Sequence, residues 1–266
     1  MKTLIVHAHP EPRSFNGALT SLAVSTLEGL GYQVQVSDLY ALGWSPVLDA
    51  SAFAELPEDG FFDPAKAQEQ AHKAGTTSHE VALEQNKVKE ADLIIFQFPL
   101  WWFSMPAILK GWVDRVFSRG FAYAAGRKYD TGLMAGKRAM LSLTTGTASS
   151  LYSPNGIDGD LHHILWPIHN GILAYTGFTV LPPFTAWMPA VVTAEQREQY
   201  LQDYAKRLYQ LNDIEPLYFH PRQDYDAHQQ LKPGVLARSG VQWNPHADQT
   251  FEASASAFDA AMKGRA

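Results

Sequence analysis

The run LIIFQF, Leu93–Phe98, constrains the chain more than any other stretch. It has no polar alternation, so a strand made from it buries both faces, as strands do in parallel sheets covered by helices on two sides. Parallel neighbours require crossover connections, usually helical. The remaining sequence supplies them.

TLIVHAH, Thr3 to His9, is a β-branched run that ends at Pro10 and predicts a strand. In the next segment Phe15, Leu19, Leu22, Ala23, Leu27 and Leu30 recur at helical spacing up to Gly31, and Tyr32 to Tyr40 alternates as a second strand. Residues 41–78 carry Pro46, Pro57, Gly60, Pro64 and Gly75 with weak periodicity, which predicts an excursion with short helical pieces. A helix over His79–Glu90 leads into the apolar strand.

Beyond Trp101, Trp102 and Phe103, the residues Met105, Ile108, Leu109, Trp112, Val113, Val116 and Phe117 form one helical stripe. Ser104 is the expected N-cap, with Pro106 in the first turn, and Lys110, Asp114 and Arg115 lie off the stripe. Lys137–Gly146 is a fourth strand, Pro167 should break or kink the helix that follows, FTVLPPF is a fifth strand, and TAEQREQYLQDYAKRLYQL is a charged amphipathic helix. The pattern predicts a doubly wound α/β domain over residues 1–211. Residues 212–266 read as an extension packing on the body or on a partner subunit.

Composition narrows the chemistry. Of 266 residues 46% are hydrophobic and 18% charged, with a net charge of −6 and no long basic run, which argues against nucleic acid or an anionic membrane as partner. The absence of cysteine excludes disulfides, thiolate metal sites and a cysteine nucleophile, so redox chemistry would need a bound cofactor. The N-terminus does not read as a signal peptide and no window reaches the ~20 apolar residues of a membrane span. The expectation is a soluble cytoplasmic protein.

Ligands of doubly wound sheets sit outside the carboxyl ends of the strands, which directs attention to three loops. In HAHPEPRSFNGAL there is no G-x-G-x-x-G, but His9, Arg13, Ser14 and Asn16 flank a helix start, suited to phosphate; Ser14 alone could simply be a cap. His7 and His9 lie on one side of a strand, yet two imidazoles do not make a metal site, and none is expected. The aromatic triplet fits either a core or a wall for a flat ligand. The third loop joins Thr144, Thr145 and Gly146 to Tyr152, Asp158 and Asp160.

Together FQFPLWWFSMPAILKGWVDRVF, FAYAAGRKYD, the LTTG turn, YSPNGIDGD, ILWPIHNGIL and EPLYF resemble the NAD(P)H:quinone oxidoreductases of the DT-diaphorase type, from Leu4 to about Phe219. The resemblance implies a flavodoxin-like fold, tightly bound FAD, and a homodimer with active sites at the interface. It also implies two-electron, ping-pong hydride transfer from NAD(P)H through the flavin to a quinone. By the same resemblance His9, Ser14, Phe15 and Asn16 hold the FAD phosphates and ribose, and Trp101, Trp102 and Phe103 flank the flavin ring. Thr144, Thr145, Gly146 and Thr147 line its polar edge, Tyr152 hydrogen-bonds beside a flavin carbonyl, and Arg197 reaches the adenine end. Tyr123, with Phe103 and Gly146, shapes the substrate pocket.

Four positions depart from the family. Asp158 stands where the family has a relay histidine, Thr147 replaces a glycine, Trp101 a glutamine and Ala125 a second pocket tyrosine. An aspartate donates a proton only if its pKa is raised; the alternatives are His162 acting with Tyr152, or water. Two further readings share these motifs: a flavin-containing regulatory subunit of a cation efflux system, and an azo- or nitro-reductase. Arg127 and Lys128 are available to a 2′-phosphate on the nicotinamide donor.

Overall fold

The computed structural model describes residues 1–53 and 61–263, the last three by backbone alone; Pro57 and Gly60 lie outside the described residues. Five strands, β1 (Lys2–His7), β2 (Gln33–Asp38), β3 (Leu93–Pro99), β4 (Arg138–Thr145) and β5 (Thr179–Trp187), form one sheet in the order β2-β1-β3-β4-β5. Every pairing is parallel. β3 is central and all seven of its residues are buried.

The two faces of β3 feed two cores. Leu93 and Ile95 pack with Ile5, Met140 and Leu181 under α1 (Phe15–Gly29) and α6 (Ala194–Tyr209). Ile94, Phe96 and Phe98 pack on the other side under α3 (His79–Glu90), α4 (Ala107–Val116) and α5 (Leu161–Ile168). The excursion before α3 holds α2 (Pro64–Ala74), started by Asp63 as N-cap. This is the flavodoxin-like architecture, and the β1/β3 boundary, where the chain reverses direction across the sheet, opens a crevice at the carboxyl ends of the strands.

Several local expectations need correction. Ser104 does not cap α4: it pairs backbone to backbone with Trp101, and the helix starts at Ala107 after Pro106. Arg115, off the apolar stripe as expected, is nevertheless not solvent-facing. It is buried, ion-pairs with Glu80, donates to the Ser45 carbonyl at 2.8 Å and lies 4.9 Å from the Trp44 ring centroid. Pro167 lies within α5, and residues His169–Ala174 then widen into a π-helical turn; a proline without an N–H breaks the regular ladder.

The extension is more ordered than its proline-rich sequence suggests. It carries a helix, α7 (Phe251–Lys263), that sequence reading missed although Phe251, Ala255, Phe258 and Met262 recur at helical spacing, because it follows a segment punctuated by proline and glycine. Leu217 N–H donates to Val180 O at 2.8 Å, so the extension runs along β5. Trp166 meets Phe219 with ring centroids 5.8 Å apart, and His163 Nε2 bonds to Gly240 O at 2.8 Å. β5 is the last strand of the sheet and contains Pro182 and Pro183, a position where prolines are tolerated.

Candidate flavin-binding cleft

An open cleft of about 940 Å³ lies at the carboxyl ends of β1, β3 and β4. It gathers His9, Ser14, Phe15, Asn16, Trp101, Trp102, Thr144, Thr145, Gly146 and Arg197 from segments far apart in the chain.

On the β1 side Ser14 caps α1, its hydroxyl accepting the Gly17 N–H at 3.2 Å. The N–H groups of Phe15 and Asn16 find no partner among the described residues. They leave the positive end of the helix for an anion. Arg13 is already engaged elsewhere. It is bidentate to Glu11 at 2.8 and 3.1 Å and holds the exposed carboxyl down at about 2. Gly17 brings the loop close, since a Cβ there would stand 2.1 Å from Pro12 O.

Asn16 is itself buried. Its Nδ2 donates to Thr144 Oγ1 at 2.9 Å and its Oδ1 accepts from Gln97 Nε2 at 2.8 Å. Gln97, the single polar residue in the β3 run, thus belongs to a polar floor under the cleft. Sequence reasoning passed over it. The signal was an amide inside an otherwise apolar strand, which must find a partner when buried.

The aromatic triplet forms the rim. Trp101 and Ser104 exchange backbone hydrogen bonds at 3.0 Å, and Trp102 and Phe103 turn the chain with φ of 50° and 57°. Non-glycine residues in this left-handed region are strained. Trp102 is 94% exposed, with Trp101 and Phe103 also exposed, so the triplet is not core. His9 sits 6.1 Å from the Trp101 ring, its Nδ1 accepting the Glu11 N–H at 3.0 Å.

Across the cleft, Thr145 Oγ1 donates to Thr147 O at 2.8 Å. The N–H groups of Trp102, Phe103, Gly146 and Thr147 have no acceptor among the described residues, and a Cβ on Gly146 would meet only open space. Trp101, Trp102 and the open N–H of Gly146 line the same cleft, which suits a flat, polar-edged ring, whereas Phe103, Thr147 and Tyr152 do not line it. The helix start beyond it suits phosphate, and Arg197, held by the Pro189 and Val192 carbonyls at 3.2 and 2.6 Å, closes the far end. The residues present therefore fit a flavin nucleotide.

Tyr152 is buried between Phe103 and Trp187, with ring centroids 6.2 and 5.5 Å away. Asp158 closes the same loop through its N–H to Leu151 O at 3.0 Å. His162 does not join them. It starts α5, where Asp160 accepts its N–H at 2.7 Å, and its ring packs 5.4 Å from Phe258 of α7. There it lines a cavity of about 130 Å³ with His169 and Arg238, and burial pushes its pKa down. Tyr123 lies outside the cleft, 5.7 Å from the Tyr175 ring, and burial raises its pKa. His7 is turned inward to Thr20 Oγ1 at 2.8 Å. No cluster of three or more histidine or acidic side chains is placed for a metal among the described residues, and no helix among them is long and apolar enough to cross a membrane.

A family model described as having the flavodoxin-like fold matches residues 1–210. Human ribosyldihydronicotinamide dehydrogenase [quinone] is 43% identical over 217 residues, 81% of this chain and 94% of its own. The guinea pig (Cavia porcellus) NAD(P)H dehydrogenase [quinone] 1 is 44% identical over 244 residues, 91% of this chain and 87% of its own. A solved Klebsiella pneumoniae structure assigned as a quinone reductase superposes with a TM-score of 0.84 at 44% identity, covering 88% of this chain and 94% of that one. The chain belongs to the flavodoxin-like family, among its NAD(P)H:quinone oxidoreductases. It is an oxidoreductase built on a flavin-binding fold, of which members have been solved with FMN in place.

Proposed function

We propose that the protein is a cytoplasmic, FAD-dependent NAD(P)H:quinone oxidoreductase acting as a homodimer with its sites at the subunit interface. One observation carries the reading: a single cleft is lined by Trp101 and Trp102 of the exposed aromatic turn, by Gly146 with its unengaged N–H, and by Ser14, Phe15 and Asn16 at the start of α1. The size of the cleft, and Arg197 beyond the helix start, favour a dinucleotide over a mononucleotide. The names and identities of the relatives supply the donor and acceptor classes.

A bound FAD would supply two-electron transfer between the nicotinamide donor and the quinone, in a double-displacement cycle. The chain positions and polarises. Thr144 anchors the floor through Asn16, and the N–H groups at Gly146 and Thr147, with the Tyr152 hydroxyl, stabilise negative charge at the ring's polar edge. Trp101, Trp102 and Phe103 wall one side, His9, Ser14 and Phe15 receive the phosphates, and Arg197 takes the adenine end. Phe103 and Gly146 leave the open face to the substrate, which Tyr123 of a neighbouring subunit would cover, with Ala125 leaving that pocket roomier. Proton delivery falls to Asp158 or water through Tyr152, since His162 is packed under α7.

The test is the visible spectrum of purified protein, the mass of the released flavin, and anaerobic titration with NADH and NADPH. Bleaching by one two-electron equivalent, reversed by a quinone, is the expected result. A protein that cannot be loaded with FAD would overturn the proposal.

A further inference from the structure

The cavity of about 130 Å³ between α5 and α7 has no residue in common with the flavin cleft. Of its ten lining residues six carry rings, one is a cation, Arg238, and none is a carboxylate. Trp166 and Phe219 form one wall, with ring centroids 5.8 Å apart, and His162 meets Phe258 at 5.4 Å.

Three polar groups in these walls are unengaged among the described residues. The Arg238 guanidinium lies 4.4 Å over the Tyr218 ring and makes no hydrogen bond or ion pair. A cation held on an aromatic face keeps its N–H donors free. The His162 ring has no hydrogen-bond partner, since Asp160 accepts only its backbone N–H. His169 is 2% exposed, and its Nε2 is buried without a partner. Buried polar atoms are nearly always paired in native proteins. His169 also opens the π-helical turn, a distortion that recurs at functional sites. The other polar side chains are spent: the Tyr218 hydroxyl meets His220 Nδ1 at 3.4 Å, and Ser239 Oγ accepts the Gln242 N–H at 3.3 Å. Burial holds the His169 ring neutral, with its pKa at about 3, and lowers that of His162. Arg238 is therefore the one charge on the walls.

The volume is close to that of a single six-membered ring, because an apolar cavity of about 150 Å³ accepts benzene. A bare inorganic anion needs donors on several sides, which aromatic walls do not supply. A flat ring carrying one carboxylate matches both the walls and the single free cation.

We propose that this cavity binds a monocyclic aromatic acid, its ring against Trp166, Phe219 and Phe258, its carboxylate on Arg238 and a ring hydroxyl at His169. Arg238 is exposed and His169 buried, so the acid enters hydroxyl first. Bound there it joins α5 to both ends of the extension, residues 217–219 and α7. The site does not depend on the function proposed above.

The experiment is calorimetry on the full-length, flavin-loaded protein with para-hydroxybenzoate, benzoate and phenol, for the parent, Arg238→Gln, Arg238→Lys and His169→Leu. Para-hydroxybenzoate should bind the parent at least about tenfold tighter than phenol; Arg238→Gln should remove that advantage and Arg238→Lys keep part of it. It should also bind about threefold to tenfold tighter than benzoate, and His169→Leu should level the two. Arg238→Gln alters an exposed side chain, so it decides the matter even if His169→Leu does not fold. No binding to the parent, or undiminished binding to Arg238→Gln, would overturn the proposal. Displacement of the acid by a naphthoquinone, too large for this cavity, would overturn it as well by placing the acid in the quinone pocket.

Discussion

Asn16 and Thr144 are 128 positions apart, yet the amide Nδ2 of one donates to the hydroxyl of the other at 2.9 Å, and Gln97 completes the link from β3. The contact ties α1 to β3 and β4 under the cleft. Replacing Asn16 by Leu strands the Gln97 amide and the Thr144 hydroxyl in a buried site. The expected loss is about 2–6 kcal/mol, from about 1–3 kcal/mol for each of the two unsatisfied groups, together with weaker flavin retention. Urea unfolding and a flavin-release assay measure both, and a variant as stable as the parent would show that the polar floor is dispensable.

Trp102 combines a left-handed backbone with nearly complete exposure. Its side chain therefore contributes little to the packing of the free protein. Trp102→Gly should leave the flavin-free protein unchanged or up to about 1 kcal/mol more stable, relief of about 1–2 kcal/mol of strain being partly offset by unfolded-chain entropy. Flavin affinity should fall in the same variant. Parallel losses in stability and affinity would contradict this separation.

Gly17 is required by a close approach. A methyl group there would stand 2.1 Å from the Pro12 carbonyl oxygen, so Gly17→Ala must push the His9–Ser14 loop off the helix start. Protein purified from this variant should carry markedly less flavin and be destabilised by about 1–3 kcal/mol. Gly29→Ala, with nothing within 4 Å of the added carbon, is the matched control.

Three histidines, His7, His162 and His169, have pKa values pushed down by burial, His169 to about 3. The unfolded chain takes up protons at these rings near pH 6.5 while the folded chain resists. Stability should therefore be full above pH 6.5 and fall on acidification, for His169 by roughly 1.4 kcal/mol per pH unit down to about pH 3, with His7 and His162 adding in the same direction. Urea midpoints between pH 7.5 and 5 check the slope. His169→Leu should flatten it by one group, and an undiminished slope would show that His169 is not a contributor.

Much of the frame was legible in the chain because it rests on local pattern. The unbroken apolar run of β3, the 3,1,3,1 stripe of α4 and the limits of α3 follow from side-chain spacing alone. Gln97, Arg115 and the placement of His162 were not legible: their partners, Asn16, Glu80 and Phe258, are set by how distant elements pack. The aromatic triplet was ambiguous for a related reason. Its exposure depends on the left-handed turn at Trp102 and Phe103, and that geometry is unfavourable for both residues locally.

The outer edge of β5 carries a consequence for the protein at high concentration. Pro182 and Pro183 present no N–H, and Leu217 already occupies the carbonyl of Val180. A foreign strand arriving there finds few free partners with which to pair. Association through sheet growth is thereby directed to the opposite margin at β2, where Gln33, Gln35 and Val36 are exposed. If this protein forms fibrils under stress, β2 is the margin from which they should grow.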